Sequence, residues 1–172
     1  MKLTNRLSEY ARACFTGIWI ESHEHQDALT EIAQLCLEQQ WQLATWDIES
    51  GLNVPGQTEQ DASSNDPLTA IRSINALATP DGTAILVLQN FHRFLQSAEV
   101  VQALTRQIIT GKQNRTIVVV LSPVVQIPTE LEKMFVVMEH DLPNRQELDE
   151  IARGIATEKG ELPEDSEFQT VI

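Results

Sequence analysis

The chain has few basic residues. Its 172 residues include 12 lysines and arginines against 25 aspartates and glutamates, which gives a formal net charge of −13. So acidic a chain repels nucleic-acid phosphates and anionic lipids, because binding to either depends on positive charge. The composition therefore disfavours a sequence-independent nucleic-acid or membrane-surface role, although it leaves room for an isolated basic pocket.

Long apolar runs and cysteines are scarce as well. No apolar run approaches the roughly 20 residues that a membrane-spanning helix needs, and the N-terminus lacks the charged and then apolar pattern of a signal peptide. The only two cysteines, Cys14 and Cys36, lie far apart, and each falls within an apolar stretch, which favours buried, reduced thiols. We expect a cytoplasmic protein with no membrane partner.

What the sequence does contain is an alternation of short β-rich runs and segments of helical period. Such alternation is the signature of a parallel sheet with crossover helices. The predicted strands are residues 17–21, 43–48, 83–88, 116–121 and 135–138. The third and fourth are almost purely apolar, so they should be central and covered on both faces. The pattern predicts a three-layer α/β/α domain with a mostly parallel central sheet of about five strands.

Capping residues mark several helix starts. They are Asp66 before Pro67, Ser97, and the pairs Thr129 with Glu132 and Asn144 with Glu147. Gly111 is expected to end the helix that Ser97 begins. Two further helices are predicted around residues 7–13 and 28–36, from the spacing of their apolar residues.

Two segments fit neither pattern. Residues 49–65 form a turn-rich stretch that is long enough to be either a functional loop or disordered. From residue 158 onward the chain is acidic and weakly apolar, which is typical of a linker or tail. We therefore assign residues 1–157 to one α/β domain and residues 158–172 to an acidic tail or linker.

Four segments follow one another in a characteristic order. They read GIWIE at 17–21, ILVLQNFHRFL at 85–95, LSP at 121–123 leading into IPTELEK at 127–133, and DLP at 141–143 before a helix. This order resembles the AAA+ ATPase core, a P-loop NTPase-like fold, up to the start of its lid. More narrowly, residues 17–155 are similar to the degenerate N-terminal ATPase-like domain of plastid and cyanobacterial AAA+ ATPases. In that family an intact ATPase module follows in the same polypeptide, so residues 158–172 would lead toward it.

The residues that carry the chemistry of such ATPases are replaced. A phosphate loop, G-x-x-x-x-G-K-[ST], would follow the first strand, but residues 21–27 read ESHEHQD, without glycine or lysine. Gln89 and Asn90 stand where two acids would orient the Mg²⁺ shell and polarise the attacking water. Lys133, Met134 and Phe135 stand in place of an arginine finger. We expect no catalytic, cofactor-binding or metal residue in this chain, and ATP and Mg²⁺ only in a separate downstream module.

The resulting hypothesis is a non-catalytic interaction or assembly domain of an AAA+ ATPase. The resemblance implies protein partners or the ATPase module itself as its contacts, and a parent protein that oligomerises. The acidic composition argues against nucleic acid as a partner.

Two alternatives stay open. An enzyme or small-ligand binder would use the carboxyl ends of the strands, the usual location of ligand sites in open α/β sheets. The candidate ligand or interaction positions there are Asp47, Gln89, Asn90, His92 and Ser122. A free-standing flavodoxin-like regulatory protein is the other alternative, although Asp47 stands alone where a phosphoacceptor site would show a pair of acids.

Overall fold

The structure is a computed structural model that describes residues 2–56 and 65–155. It divides into two compact units, Met1–His140 and Asp141–Ile172. The predicted boundary between residues 157 and 158, and the acidic tail after it, lie outside the described residues, so both stay predictions. No helix in the described ranges is long and apolar enough to cross a membrane.

The first unit is built on a six-stranded sheet. The strands are β1 (Gly17–Glu21), β2 (Gln42–Asp47), β3 (Gly51–Asn53), β4 (Ala84–Gln89), β5 (Thr116–Ser122) and β6 (Val136–Glu139). Their order across the sheet is β3-β2-β4-β5-β1-β6, and every neighbouring pair is parallel except β2 and β3. The predicted three-layer fold with a mostly parallel sheet is confirmed, and each of the five predicted strands lies within one residue of its observed ends.

Helices cover both faces of this sheet. They are α1 (Leu3–Arg12), α2 (His25–Gln39), α3 (Pro67–Leu77) and α4 (Ala98–Asn114), while α5 (Arg145–Ile155) belongs to the second unit. Short 3₁₀ turns occupy Phe91–Phe94 and Thr129–Leu131. Buried residues of α1 and α2 pack on one face, and those of α3 and α4 pack on the other. The sheet is thus sandwiched between two helical layers, each closing its own apolar core.

The central strands are the most deeply buried. Every residue of β5 is buried, and so are the first five residues of β4. Such strands are apolar on both faces because helices cover both sides of a parallel sheet. Their side chains therefore divide between the two cores, as Leu86 and Val87 do on successive positions of β4.

The predicted caps of α3, α4 and α5 form. A carboxylate oxygen of Asp66 accepts the backbone N–H of Thr69 at 2.8 Å, and the hydroxyl of Ser97 accepts that of Val100 at 3.4 Å. In the second unit Asn144 and Glu147 form a capping box, with N–H to side-chain oxygen distances of 3.0 and 2.9 Å. These caps satisfy N–H groups that have no partner within the helix.

The prediction of a helix capped by Thr129 and Glu132 is wrong. Only the three-residue 3₁₀ turn Thr129–Leu131 forms there, and its side chains make no cap. The N–H of Met134 closes the turn on the carbonyl of Leu131 at 2.9 Å, and β6 begins two residues later. The chain therefore makes two successive tight turns before β6 instead of a helix, despite the capping spacing of its polar residues.

Gly111 does not end α4, contrary to its expected role. The helix continues to Asn114, and Arg115 takes the left-handed conformation that closes it, with φ of 55°. Gly111 instead lies where α4 approaches the start of β5, and a Cβ at this position would collide with the backbone oxygen of Thr116. Close packing of backbones, rather than helix termination, explains the glycine.

Part of the turn-rich segment 49–65 is ordered as β3. One oxygen of Asp47 accepts the N–H groups of Glu49 and Ser50 at 2.9 and 2.7 Å, which tightens the turn from β2 into β3. Gly51, with φ of 71°, then starts the antiparallel strand. This short edge strand was not predicted, and residues 57–64 lie outside the described ranges.

The two cysteines differ in exposure. Cys36 is buried in the core under α2, and burial raises the pKa of its thiol to about 12. Cys14 is exposed, because it leaves the end of α1 in a left-handed conformation with φ of 62°. The expectation of buried thiols is confirmed for Cys36 and wrong for Cys14.

Candidate functional site

Three of the predicted positions follow consecutive strands at the carboxyl edge of the sheet. Asp47 and Gln89 are the last residues of β2 and β4, and Ser122 is the last residue of β5. These strands are neighbours in the sheet, so the backbone does bring the three positions onto one edge.

Strand alternation then separates their side chains. Trp46 and Leu88 belong to the core between the sheet and α3–α4, so the next residues, Asp47 and Gln89, face the α1–α2 side. Ser122 lies two residues beyond Val120 of the α3–α4 core and therefore faces that layer. The three side chains do not converge on one face.

The polar atoms of two of these residues are already bonded. Asp47 holds the turn into β3, as described above. Ser122 is fully buried, and its hydroxyl donates to the carbonyl of Val124. The same carbonyl accepts the indole N–H of Trp19 at 3.2 Å. Both side chains therefore serve local structure.

Asn90 and His92 lie in the segment that follows β4. Asn90 is exposed and adopts φ of 52°, and its backbone N–H donates to the carbonyl of Leu121 at 2.8 Å. This left-handed residue starts the 3₁₀ turn whose Phe91 and Phe94 pack against Trp46, with ring centroids 5.4 and 5.6 Å away. The segment is anchored by aromatic packing at the edge of the core.

His92 is the predicted position with unused polar capacity. It is 8% exposed, and its Nδ1 is buried without a hydrogen-bond partner in the described residues. Burial lowers the pKa of the ring, and the charges of Arg93 and His25 lower it further. Both effects favour the neutral form of the ring.

The connection between β1 and α2 contains only Ser22, His23 and Glu24. The N–H of Ser22 donates to the carbonyl of Ser122 at 2.9 Å, and its hydroxyl accepts the N–H of Glu24 at 3.1 Å. The hydroxyl also lies 2.7 Å from Nδ1 of His140. This short connection is therefore tied to the ends of both β5 and β6.

His140 extends these contacts to α2. Its Nε2 lies 3.3 Å from a carboxylate oxygen of Glu31, and its backbone N–H donates to the carbonyl of Glu21 at 2.8 Å. Serine, histidine and carboxylate thus stand in the order found in serine hydrolases. However, Ser22 is only 2% exposed and already accepts a backbone N–H, so no substrate carbonyl can reach its hydroxyl. We assign these contacts, here called the Ser22–His140–Glu31 network, a structural role.

Sequence reasoning missed this network. Ser22 and His140 are 118 residues apart in the chain, and Glu31 and His140 are 109 residues apart, so no local spacing relates them. The sequence around His140 places only Asp141 beside it and offers no nucleophile to pair with it. In addition, the described residues contain no group of three or more histidine, cysteine or acidic side chains that could hold a metal ion.

Concave surface lies elsewhere, between α3 and α4. One groove of about 780 Å³ runs along the two helices, and a second of about 400 Å³ adjoins it near their starts. None of Asp47, Gln89, Asn90, His92 and Ser122 lines either groove. The candidate positions at the carboxyl edge are therefore separate from these two grooves, and they stay predictions.

Comparison with known proteins places the domain in a family. The family described as the N-terminal domain of SpoVK-like AAA ATPases matches residues 3–140. Because this match covers most of the chain, the chain belongs to that family, and its predicted relation to AAA+ N-terminal domains is confirmed. Comparison with curated proteins gave no match.

Solved structures share the fold. A chain of the HORMA:CdnC:Trip13 complex of E. coli MS115-1 superposes with a TM-score of 0.57, and the alignment covers 98% of this chain and 67% of that chain. The two are 9% identical in sequence, so the similarity concerns the fold alone.

Proposed function

We propose that this chain is a non-catalytic interaction or assembly domain of an AAA ATPase, and that a separate module of the parent protein binds and hydrolyses ATP. The single observation that carries the proposal is the three-residue connection between β1 and α2. A phosphate loop needs eight residues whose backbone N–H groups and lysine surround the phosphates. Ser22, His23 and Glu24 supply neither the length nor the lysine.

Charge at the start of α2 supports the same proposal. A helix N-terminus attracts phosphate because its free N–H groups point outward and its dipole is positive there. Glu24 precedes α2 and Asp27 lies in its first turn, so carboxylates already stand at this end of the helix. An incoming triphosphate would meet like charge.

The segment after β4 adds a third argument. Gln89 and Asn90 carry neutral amides, so neither can supply the negative charge that orders a Mg²⁺ shell or polarises water. The finer parts of the proposal are that the domain is the degenerate type of plastid and cyanobacterial AAA+ ATPases, and that it works in the cytoplasm within a homo-oligomer. Protein partners fit its family, and the similar fold described above occurs in a chain of a multiprotein complex.

Nucleotide titration tests the proposal directly. Calorimetry of the purified chain with ATP and Mg²⁺ is expected to give no binding at micromolar concentrations, and a phosphate-release assay no turnover. The variant Gln89→Asp/Asn90→Glu, which restores both acids, is expected to behave in the same way because the β1–α2 connection is unchanged. Micromolar binding of ATP, or ATP turnover by either protein, would contradict the non-catalytic assignment.

The parent protein offers a complementary test. Removing residues 3–140 from it should impair its assembly or partner binding, while its ATPase module still binds nucleotide. Unchanged assembly and partner binding after this deletion would count against an assembly role.

A small-ligand function remains the second candidate because of one observation, the unpartnered Nδ1 of buried His92. The opposite faces taken by Gln89 and Ser122 weaken it. A chemical-shift change at the His92 ring on adding a small-molecule library, with no change in His23, would favour this candidate. A free-standing regulatory protein is disfavoured by membership in a family of N-terminal domains.

A further inference from the structure

The two grooves between α3 and α4 share Leu68 and Glu99 in their linings, and we call them together the α3–α4 groove. Asp66 and Ser97, which cap the two helices, line one end of it, and Asn75 and Gln107 line it further along. The helices therefore run side by side in the same direction, as two crossover connections of one parallel sheet must. Helix α3 has 11 residues, so the groove along it is about 16 Å long, since a helix rises about 1.5 Å per residue.

The groove concentrates positive charge in an acidic molecule. Arg72, Arg93 and Arg106 all line it, and all three are exposed. They make up a quarter of the 12 basic residues in the chain. None of the three forms an ion pair or a side-chain hydrogen bond with another described residue. Exposed guanidinium groups of this kind can bind the carboxylates of a partner.

Two carboxylates also line the groove, and neither forms an ion pair with these arginines, although the hydrogen bonds from Thr69 and, more weakly, the charge of Arg72 lower the pKa of Asp66. Asp66 binds the backbone N–H and the hydroxyl of Thr69, both at 2.8 Å. Glu99 lies in the first turn of α4, where the helix dipole favours an acid. Three arginines against two acids leave the groove net positive, while the whole chain carries −13.

The floor of the groove is apolar, and its buried polar side chain, Gln107, is hydrogen-bonded. The apolar lining consists of Pro67, Leu68, Ile71, Phe94, Ala98, Val100 and Ala103. Asn75 and Gln107 exchange two amide hydrogen bonds of 3.2 and 3.3 Å, and Gln107 also donates to the hydroxyl of Thr116 at 3.2 Å. An apolar centre bordered by charged side chains is the usual composition of a protein-binding surface.

We propose that the α3–α4 groove binds an acidic, amphipathic helical segment of a protein partner. The inference rests on the proposed interaction function and deepens it by naming the surface and the chemistry of the partner. Arg72 and Arg106 would bind carboxylates on either side of the segment, and its apolar face would lie on Leu68 and Ala103. The length of α3 accommodates about three turns, which present apolar residues at i, i+3, i+4 and i+7.

Charge on the remaining surface gives this binding its selectivity. An acidic segment is repelled by most of a chain that carries −13, so the groove is the region where it meets compensating charge. A segment discriminates better between binding sites when the correct site attracts it and the other sites repel it. A basic segment would show the opposite preference and spread over the acidic surface.

A designed peptide provides the probe. We would use a fluorescein-labelled 14-residue amphipathic peptide with leucines at i, i+3, i+4 and i+7 and glutamates on its flanks, and measure fluorescence anisotropy with the full chain. Binding in the micromolar range is expected. The variant Arg72→Glu/Arg106→Glu should bind at least tenfold more weakly, because two attractive pairs become repulsive, and the loss should shrink as salt is raised.

The matched control changes the same amount of charge elsewhere. Arg12→Glu/Lys112→Glu replaces two exposed bases that lie outside the groove and is expected to change the affinity less than twofold. If the charge-reversed groove variant does not fold, as judged by circular dichroism, Arg72→Gln/Arg106→Gln replaces it and should still weaken binding severalfold.

Four outcomes would overturn the proposal. They are an absence of binding by the wild-type chain, an equal loss in the control variant, equal binding of a peptide in which lysines replace the glutamates, and displacement of the peptide by inorganic phosphate at matched ionic strength. The last would identify a simple anion site. The nucleotide titration is independent of these results. ATP turnover would refute the non-catalytic assignment, whereas the peptide measurements alone decide whether the groove binds an acidic segment.

Discussion

The carboxyl edge of the sheet and the α3–α4 groove are opposite in character. At the edge, the link from β1 to α2 is three residues long and the Ser22–His140–Glu31 network ties it to the last strand and to α2. The groove is open, basic and apolar at its floor, and its arginines form no ion pair with the described residues. Polar groups at the edge are mostly satisfied within the fold, whereas the exposed arginines that line the groove are available for binding.

This difference indicates how a fold can change its function. Ligand sites in open α/β sheets usually form at the carboxyl ends of the strands. Here the same region holds the sheet and α2 together, so its polar side chains contribute to stability. Function in such a domain is better sought where charge and apolar surface remain uncommitted.

The largest expected difference between the two regions concerns packing. Phe91 is fully buried below the carboxyl edge, against Trp46 and Phe94. Phe91→Ala should lower the free energy of unfolding by about 3–5 kcal/mol. Leu68→Ala in the floor of the groove should cost only about 1 kcal/mol, because that side chain is half-buried. Urea unfolding with unchanged m-values measures both. Equal costs would show that the groove is part of the core.

The next effect concerns the polar network at the edge. Ser22→Ala removes the acceptor of the Glu24 N–H and the neighbour of His140 Nδ1, so we expect a loss of about 1–3 kcal/mol. A double-mutant cycle with His140→Ala should reveal a coupling of about 0.5 kcal/mol or more. The control is Thr30→Ala on the exposed side of α2, whose hydroxyl bonds only within its own helix. A coupling near zero would separate Ser22 from His140 energetically.

The smallest effect concerns the rim of the groove. Asp66→Ala should cost about 1 kcal/mol by removing the cap of α3, and should not weaken binding of the acidic peptide. The N–H and then the hydroxyl of Thr69 lower the pKa of Asp66 in the folded chain. Its stabilisation is therefore present above the ordinary value of about 3.9 and is lost as pH falls through the lowered pKa.

Urea midpoints between pH 7 and pH 2.5 check this dependence. The difference between wild type and Asp66→Ala should shrink at the acidic end. Asp66→Asn is the matched control, since asparagine caps the helix without titrating. A difference between wild type and Asp66→Ala that stays constant down to the lowest pH would contradict the assigned cap.

Elements with strong local patterns were predictable from the sequence. The apolar run of β5 and the cap of α3 by Asp66 before Pro67 are both properties of a few adjacent residues. Strand β3 was not predicted because only one of its three residues, Leu52, is apolar. The glycine before it and the asparagine after it are residues typical of turns. Its pairing with β2 comes from the turn at Asp47, which lies outside the strand itself.

Features that depend on distant contacts could not be predicted. Gly111 has the local signature of a helix end, yet its role is set by the backbone of Thr116 across a close contact. The Ser22–His140–Glu31 network requires the order of β5, β1 and β6 in the sheet. The groove likewise requires knowing that α3 and α4 are neighbours, because Arg72 and Arg106 lie on different helices.

Gln107 has a consequence for the rate at which a partner associates. Its hydrogen bonds to Asn75 and Thr116 join α3, α4 and β5 through one buried side chain and fix the separation of the two helices. A partner segment would meet two helices that are already bonded to each other, an arrangement that favours association without a slow opening step. Association would then be governed by diffusion and by attraction to the arginines, and affinity differences among related partners would arise mainly from their dissociation rates.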